Sequence, residues 1–202
     1  ILAALPATPV QLAHACLHAG YHSVLPASWG DELIADATLK CLDRRGSTPA
    51  IQCSCPLVAH RLLASGTDLR PFLVSLVSPP VALARYLHSA YAPAKVRITY
   101  VGRCPSASDE SIDARLTPEE LFAMLADRRI LVGKQPRVFD SVIPPDRRRF
   151  RSQPGGLPTS EALFSEGGGR HLVELEGHDL SIELAQHLLS GKSQLIDAAS
   201  SL

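Results

Sequence analysis

The chain has 202 residues, 46% hydrophobic and 20% charged, a globular composition that excludes wholesale disorder. Lys+Arg is 20 and Asp+Glu is 20, so the formal net charge is zero and the basic footprint of a generic nucleic-acid binder is missing. No apolar run approaches the roughly 20 residues that a bilayer span needs, and neither a collagen nor a coiled-coil repeat is present.

Taken in chain order, Thr8-Pro9 reads as an N-cap with Pro in the first helical position, and Leu12, Ala13, Cys16 and Leu17 follow at helical spacing up to Gly20. A short strand is predicted over 21–25 and a helix over 28–44, with Leu33, Ala37, Leu39 and Cys41 among its apolar positions. A strand over 49–52 leads to a cysteine pair, and Pro56 opens a helix over 57–65 that Gly66 ends. The apolar, β-rich run 72–77 precedes Ser78-Pro79-Pro80, which enters a helix bearing Val81, Leu83, Ala84 and Leu87. Residues 95–101 alternate like a strand, with Cys104 just beyond. Thr117-Pro118-Glu119-Glu120 is a capping box opening a helix over 119–125, so both glutamates are capping residues first. The stretch 134–158 is irregular, and its Arg147-Arg148-Arg149 run reads as a solvated loop. Gly167-Gly168-Gly169 is a loop without a phosphate-binding pattern; a strand over 171–175, a helix over 181–189 and a strand over 195–198 complete the chain. Alternating strands and helices predict an α/β fold with parallel or mixed sheets flanked by helices. Functional residues in such folds gather past the carboxyl ends of strands, where Cys53, Cys55 and Cys104 lie.

The chain opens at Ile1 without the basic start and long apolar stretch of a signal peptide, and it reads as a piece of a longer protein. Five cysteines at uneven spacing do not form a disulfide framework, which points to a reducing, cytoplasmic setting. Cys16 and Cys41 fall inside helical patterns and are expected to be buried apolar residues. Ile51-Gln52-Cys53-Ser54-Cys55-Pro56 and Val101-Gly102-Arg103-Cys104-Pro105 are two strand-end cysteine loops. Thiolate is a soft ligand suited to zinc, copper(I) or iron–sulfur clusters. Two or three such residues do not complete a four-coordinate site, so spacing alone leaves a metal site and its absence equally open.

These loops resemble those of the iron-only hydrogenases, in the C-terminal domain of their large chain. That family carries T-S-C-C-P after one strand, M-P-C-x-x-K-x-x-E after another, and a last two-cysteine motif of the type M-A-C-x-x-G-C. Gln52 to Pro56 matches the first and Gly102 to Glu110 the second; the helix entries at Ser78-Pro79 and Leu116-Thr117 also fit. The resemblance covers nearly the whole chain. It implies a two-lobed α/β domain with its site in the cleft between lobes, the lobes expected over 1–70 with 170–202 and over 71–145. It places Cys55 and Cys104 on the first two ligands of a [4Fe–4S] cluster. Cys53 is an alternative ligand or simply a loop thiol, and the other ligands are expected after Leu202. Ser54 replaces the proton-transfer cysteine, Ala107 replaces the lysine that anchors a cyanide of the catalytic iron pair, and Glu110 keeps the acidic position. Gly102-Arg103 stands for Met-Pro, and Val58 for the usual Trp.

A hydroxyl has a far higher pKa than a thiol and relays protons poorly near neutral pH, and alanine offers neither charge nor hydrogen bond. The expected function is therefore cluster binding for electron transfer or redox sensing in a catalytically degenerate hydrogenase-like fold. Its partner would be a redox protein or a fused ferredoxin or sensor domain, with neither nucleic acid nor membrane involved. The alternatives are an active or altered hydrogenase and a cluster-free interaction scaffold. A thiol nucleophile pairing Cys55 with His60 is a weaker option. His14 and His18 share a helix face at metal-like spacing but lack an evident acidic third ligand, and Tyr86 with Tyr91 reads as helix packing.

Overall fold

The computed structural model describes residues 7–53, 56–64, 68–74, 76–138, 152–153, 155–175, 188, 190 and 194–198. In chain order the elements are α1 (Pro9–His18), α2 (Ser28–Arg45), β1 (Ala50–Gln52), α3 (Pro56–Ala64), α4 (Pro79–Ala90), β2 (Thr99–Val101), β3 (Ala114–Leu116), α5 (Pro118–Asp127), β4 (Ser152–Gln153), β5 (Leu157–Pro158), α6 (Ser160–Ser165), β6 (His171–Leu175) and β7 (Gln194–Ala198), with 3-10 turns over Pro105–Ala107 and Val132–Lys134. This is the α/β class expected from the sequence, with helices around small parallel sheets. Two compact units are built from interleaved segments: Ile1–Pro26, Arg97–Pro105 and Ile112–Arg149 form one, and Ala27–Val96, Ser106–Ser111 and Phe150–Leu202 form the other.

In the first unit both helices begin on full capping boxes, Thr8 with Gln11 and Thr117 with Glu120, each with Pro at the start. Their small and apolar faces meet: Ala15, Cys16 and Ala19 of the α1 end form one buried cluster with Leu121 and Leu125 of α5. Gln11, only 2% exposed, also donates to the carbonyls of Gly133 and Gln135 at 2.9 Å each. Arg128 donates to the Ala19 carbonyl, placing a cation at the negative end of α1. Strands β2 and β3 pair in parallel, Tyr100 opposite Arg115.

The second unit is built on a three-stranded sheet in the order β1-β7-β6, all parallel, with Ile51 opposite Ile196 and Ile196 opposite Val173. Ile51, Leu195 and Ile196 are fully buried, as a parallel sheet covered by helices requires. Val58 and Leu62 of α3 close one part of this core with Leu69, while Leu39 and Leu42 of α2 close another with Leu163 of α6. Helices α2 and α4 cross so closely at Gly30 that a side chain there would run into the Pro79 carbonyl. Strands β4 and β5 form a small antiparallel hairpin whose turn includes Gly156 at φ +84°; a Cβ there would lie 2.6 Å from Ile34 Cβ.

Buried Arg170 closes the C-terminal end of α2. Its guanidinium donates to the carbonyls of Leu42 (3.1 Å), Gly167 (3.2 Å), Thr48 (3.3 Å) and Gly46. These bonds satisfy helix-end acceptors that would otherwise be orphaned. Burial, then the neighbouring Arg45 charge, holds the Arg170 pKa below its ordinary value.

Several expectations need correction. Residues 21–25 are not a strand: Tyr21 N–H bonds back to the Cys16 carbonyl and its ring joins the α1–α5 cluster. Among its described residues the run 72–77 makes one isolated bridge, Leu73 to Ile51, because β-rich composition without a continuous partner does not make a ladder. The strand expected over 95–101 shrinks to Thr99–Val101. The short elements β3, β4, β5 and α6 have no counterpart in the sequence reading. The helix expected over 181–189 lies almost wholly outside the described residues.

Candidate functional site

Cys53 leaves the end of β1 and α3 begins at Pro56, so the first cysteine loop is the three-residue step between a buried strand and a helix start. Ser54 and Cys55 lie outside the described residues. The side chain of Cys53 is half-buried and packs against the cluster of Ile51, Val58, Leu62, Leu69 and Ile196. Just before it stands Gln52, a 2% exposed amide at the end of an otherwise apolar strand. Gln52 Nε2 donates to the Gly156 carbonyl at 2.9 Å, and Gln52 Oε1 accepts from the hydroxyl of fully buried Thr38 at 3.0 Å. The hairpin turn is held further by its Gly155 N–H donating to Asp31 Oδ1 at 3.2 Å and by Ser152 Oγ donating to Glu32 at 2.8 Å. Burial raises the Asp31 pKa against the opposing pull of the Gly155 hydrogen bond, and the Glu32 charge adds to the rise.

The second loop is built differently. Cys104 is exposed, past the end of β2. Gly102 N–H donates to the Leu116 carbonyl at 2.9 Å, extending the β2–β3 pairing toward the loop. The Tyr100 hydroxyl occupies the place where a Gly102 side chain would stand, so a larger residue there would displace the tyrosine ring. Burial, then the nearby Cys104, raises the Tyr100 pKa. Arg103 pairs with Glu119, both exposed. Pro105–Ala107 makes a 3-10 turn that buries Ala107 completely, while Glu110 is exposed.

Beyond that turn the chain is fastened to α4. Asp109 accepts from Arg85 at 2.8 Å and from the Ser111 hydroxyl and amide at 2.6 and 3.0 Å, and His88 Nε2 lies 3.0 Å from the Ser111 carbonyl. The Ser111 bonds first, then Arg85, lower the Asp109 pKa to about 2.

The other candidates settle into structural roles. Cys16 is buried, and burial pushes its thiol pKa up; Cys41 packs against the α2–sheet core. His14 Nε2 sits 3.0 Å from the Val138 carbonyl rather than in a metal pair with exposed His18. Among the described residues no group of three or more His, Cys, Asp or Glu could hold a metal ion. The donor chemistry of Cys104, an exposed thiol at a strand end, suits a soft metal or cluster; the described residues supply too few such donors to complete a cage alone.

The family described as iron only hydrogenase large subunit, C-terminal domain, matches residues 2–162. The chain belongs to that family. The matched span includes both cysteine loops of this hydrogenase-like domain, as well as Ala107 and Glu110. A comparison with curated proteins finds no match. Among the described residues no helix is long and apolar enough to cross a membrane.

Two features around the loops escaped sequence reasoning. The Gln52–Thr38–Gly156 network was signalled only by a lone polar residue in Ala50-Ile51-Gln52. The Asp109 fastening was signalled by Asp109-Glu110-Ser111, whose spacing suits an Asx-type turn.

Proposed function

We propose that this hydrogenase-like domain holds one [4Fe–4S] cluster through Cys55 and Cys104 and serves electron transfer or redox sensing rather than hydrogen turnover. The observation that carries the reading is the second motif: Cys104 is exposed at a strand end while Ala107, in the position of the family's lysine, is fully buried. A methyl group gives a cyanide-bearing iron pair no charge and no donor, whereas a cubane asks only for thiolates and shelter. Ser54 in place of the proton-transfer cysteine supports the same conclusion. Cys53 packs on the core and is left out of the ligand set. The remaining ligands are assigned to chain beyond Leu202. When bound, the cluster supplies one-electron chemistry; the protein's part is to provide the thiolates and limit solvent. The partner is a redox protein or a fused ferredoxin or sensor domain, and the compartment is the cytoplasm.

The test is the full-length protein purified without oxygen, with iron, sulfide and visible absorbance measured together. About four irons and four sulfides per chain are expected, with loss in Cys55→Ser and Cys104→Ser. Unchanged cluster content in either variant overturns that ligand. A folded, iron-free wild-type chain overturns the cluster reading in favour of an interaction scaffold, and hydrogen evolution by matured protein returns the domain to the active hydrogenases.

A further inference from the structure

The strand that delivers the first cysteine loop ends on a buried primary amide where an apolar side chain would serve the sheet equally well. An unpartnered amide in such a place carries a large desolvation penalty, so Gln52 is tolerable only because it is paired. The Gly156 carbonyl can only accept, which assigns Nε2 to it and leaves Oε1 facing the Thr38 hydroxyl. One side chain thus ties together three stretches far apart in sequence: the end of β1, the middle of α2 and the hairpin turn. The turn is itself over-determined. Gly156 is pressed on Ile34 with no room for a side chain, and Gly155 N–H is held by Asp31. The residue that follows this anchor is Cys53, whose side chain packs inward on the Ile51–Ile196 cluster. Buried, satisfied polar networks specify one arrangement where apolar packing would accept several.

We propose that Gln52 is a positioning residue. Through Thr38 and Gly156 it fixes how the chain leaves β1, keeps Cys53 against the core, and so leaves the ligand role to Cys55. The last clause rests on the cluster reading above; the first two do not.

The experiment uses the full-length protein in two states. In the cluster-free state, iodoacetamide labelling at fixed pH is followed for each cysteine by peptide mass spectrometry, with buried Cys16 and exposed Cys104 as internal references. Cys53 is expected to react much more slowly than Cys104 in the wild-type chain. In Gln52→Leu, which strands the Gly156 carbonyl and leaves the Thr38 hydroxyl only the Ile34 carbonyl at 2.9 Å, Cys53 labelling accelerates about tenfold or more while Cys104 is unchanged. Should Gln52→Leu unfold, shown by Cys16 becoming reactive, the Thr38→Val/Gln52→Leu double variant replaces the network with apolar groups and carries the same test. An unchanged Cys53 rate in a variant that still protects Cys16 overturns the positioning role.

In the cluster-loaded state, Gln52→Leu admits Cys53 as a competing ligand. After one-electron reduction with dithionite, a second cluster signal then appears in the electron paramagnetic resonance spectrum and disappears when Cys53→Ser is added. A single signal unchanged by Gln52→Leu overturns the ligand-selection clause. Absence of iron from the wild-type protein strikes the cluster reading alone, since the labelling result stands without it.

Discussion

The two cysteine loops of this domain are held by opposite means. The first follows β1, a strand buried at all three positions in a parallel sheet and anchored by a buried amide network. The second follows β2, half-buried throughout and, among the described residues, paired only with β3, and is bounded by exposed Arg103 and Glu119. Interior hydrogen bonds and packed side chains set geometry firmly, while surface ion pairs contribute little and yield easily. A shared motif position therefore does not imply a shared degree of constraint. The strand end that leads into the first loop is anchored in the core, whereas Cys104 beyond β2 stands exposed.

The largest effect that can break this contrast comes from the strands themselves. Ile51→Ala opens a cavity in the first strand and is expected to cost about 3–4 kcal/mol, whereas Val101→Ala in half-buried β2 is expected to cost about 1 kcal/mol. Native-state hydrogen exchange at the amides of each strand reads the two costs separately. Equal losses would mean that β2 is as firmly embedded as β1.

An intermediate effect concerns the helix that follows the second loop's strand pair. Thr117 caps α5, accepting from Glu120 N–H at 3.2 Å while the Glu120 carboxylate accepts from Thr117 N–H at 2.7 Å. Thr117→Ala is expected to destabilise α5 by about 1 kcal/mol, measured by exchange at its first-turn amides. Thr117→Ser should restore most of the loss. A cost of several kcal/mol would show that the surroundings of the second loop depend on local caps far more than on the α1–α5 core.

Much of this arrangement was legible in the sequence because its causes are local. Thr8-Pro9 and Thr117-Pro118 carry helix starts in the chemistry of one turn: the Thr8 N-cap and the Thr117 capping box form as read, and Gln11 completes a box at Thr8 as well. The apolar run of β1 and Leu195-Ile196 of β7 are strands buried in a parallel sheet, with half-buried Leu172 and Val173 of β6 at its edge. The failures share a different cause. Whether 72–77 or 21–25 pairs depends on partners far away in the chain, and periodicity carries no such information. Cys104 and its motif could be found by pattern, and the span that the family matches includes them. The role of Gln52 could not, because its partners Thr38 and Gly156 are brought to it only by folding.

The smallest effect separates two carboxylates, one beside each loop's support, by the sign of their pH dependence. Asp109 fastens the segment after Cys104 to α4, and its pKa is lowered to about 2 by Ser111 and Arg85. Its contribution is fully present above the ordinary carboxyl value of 3.8 and is lost as the pH falls through about 2. Asp31 holds the hairpin turn beside Gln52, and burial raises its pKa. Its contribution runs the other way, present below 3.8 and lost as the pH rises through the raised value. Carboxyl-carbon NMR titration should therefore place Asp109 well to the acid side of Asp31. Asp109→Ala should remove protection at the Ser111 amide near neutral pH while leaving Gly155 untouched. Asp31→Asn keeps an oxygen for Gly155 N–H and is expected to change stability by less than about 0.5 kcal/mol at neutral pH, in the stabilising direction. The reverse order of titration would mean that Asp109 is not held by Ser111 and Arg85, and that the segment following Cys104 is looser than its hydrogen bonds to α4 imply.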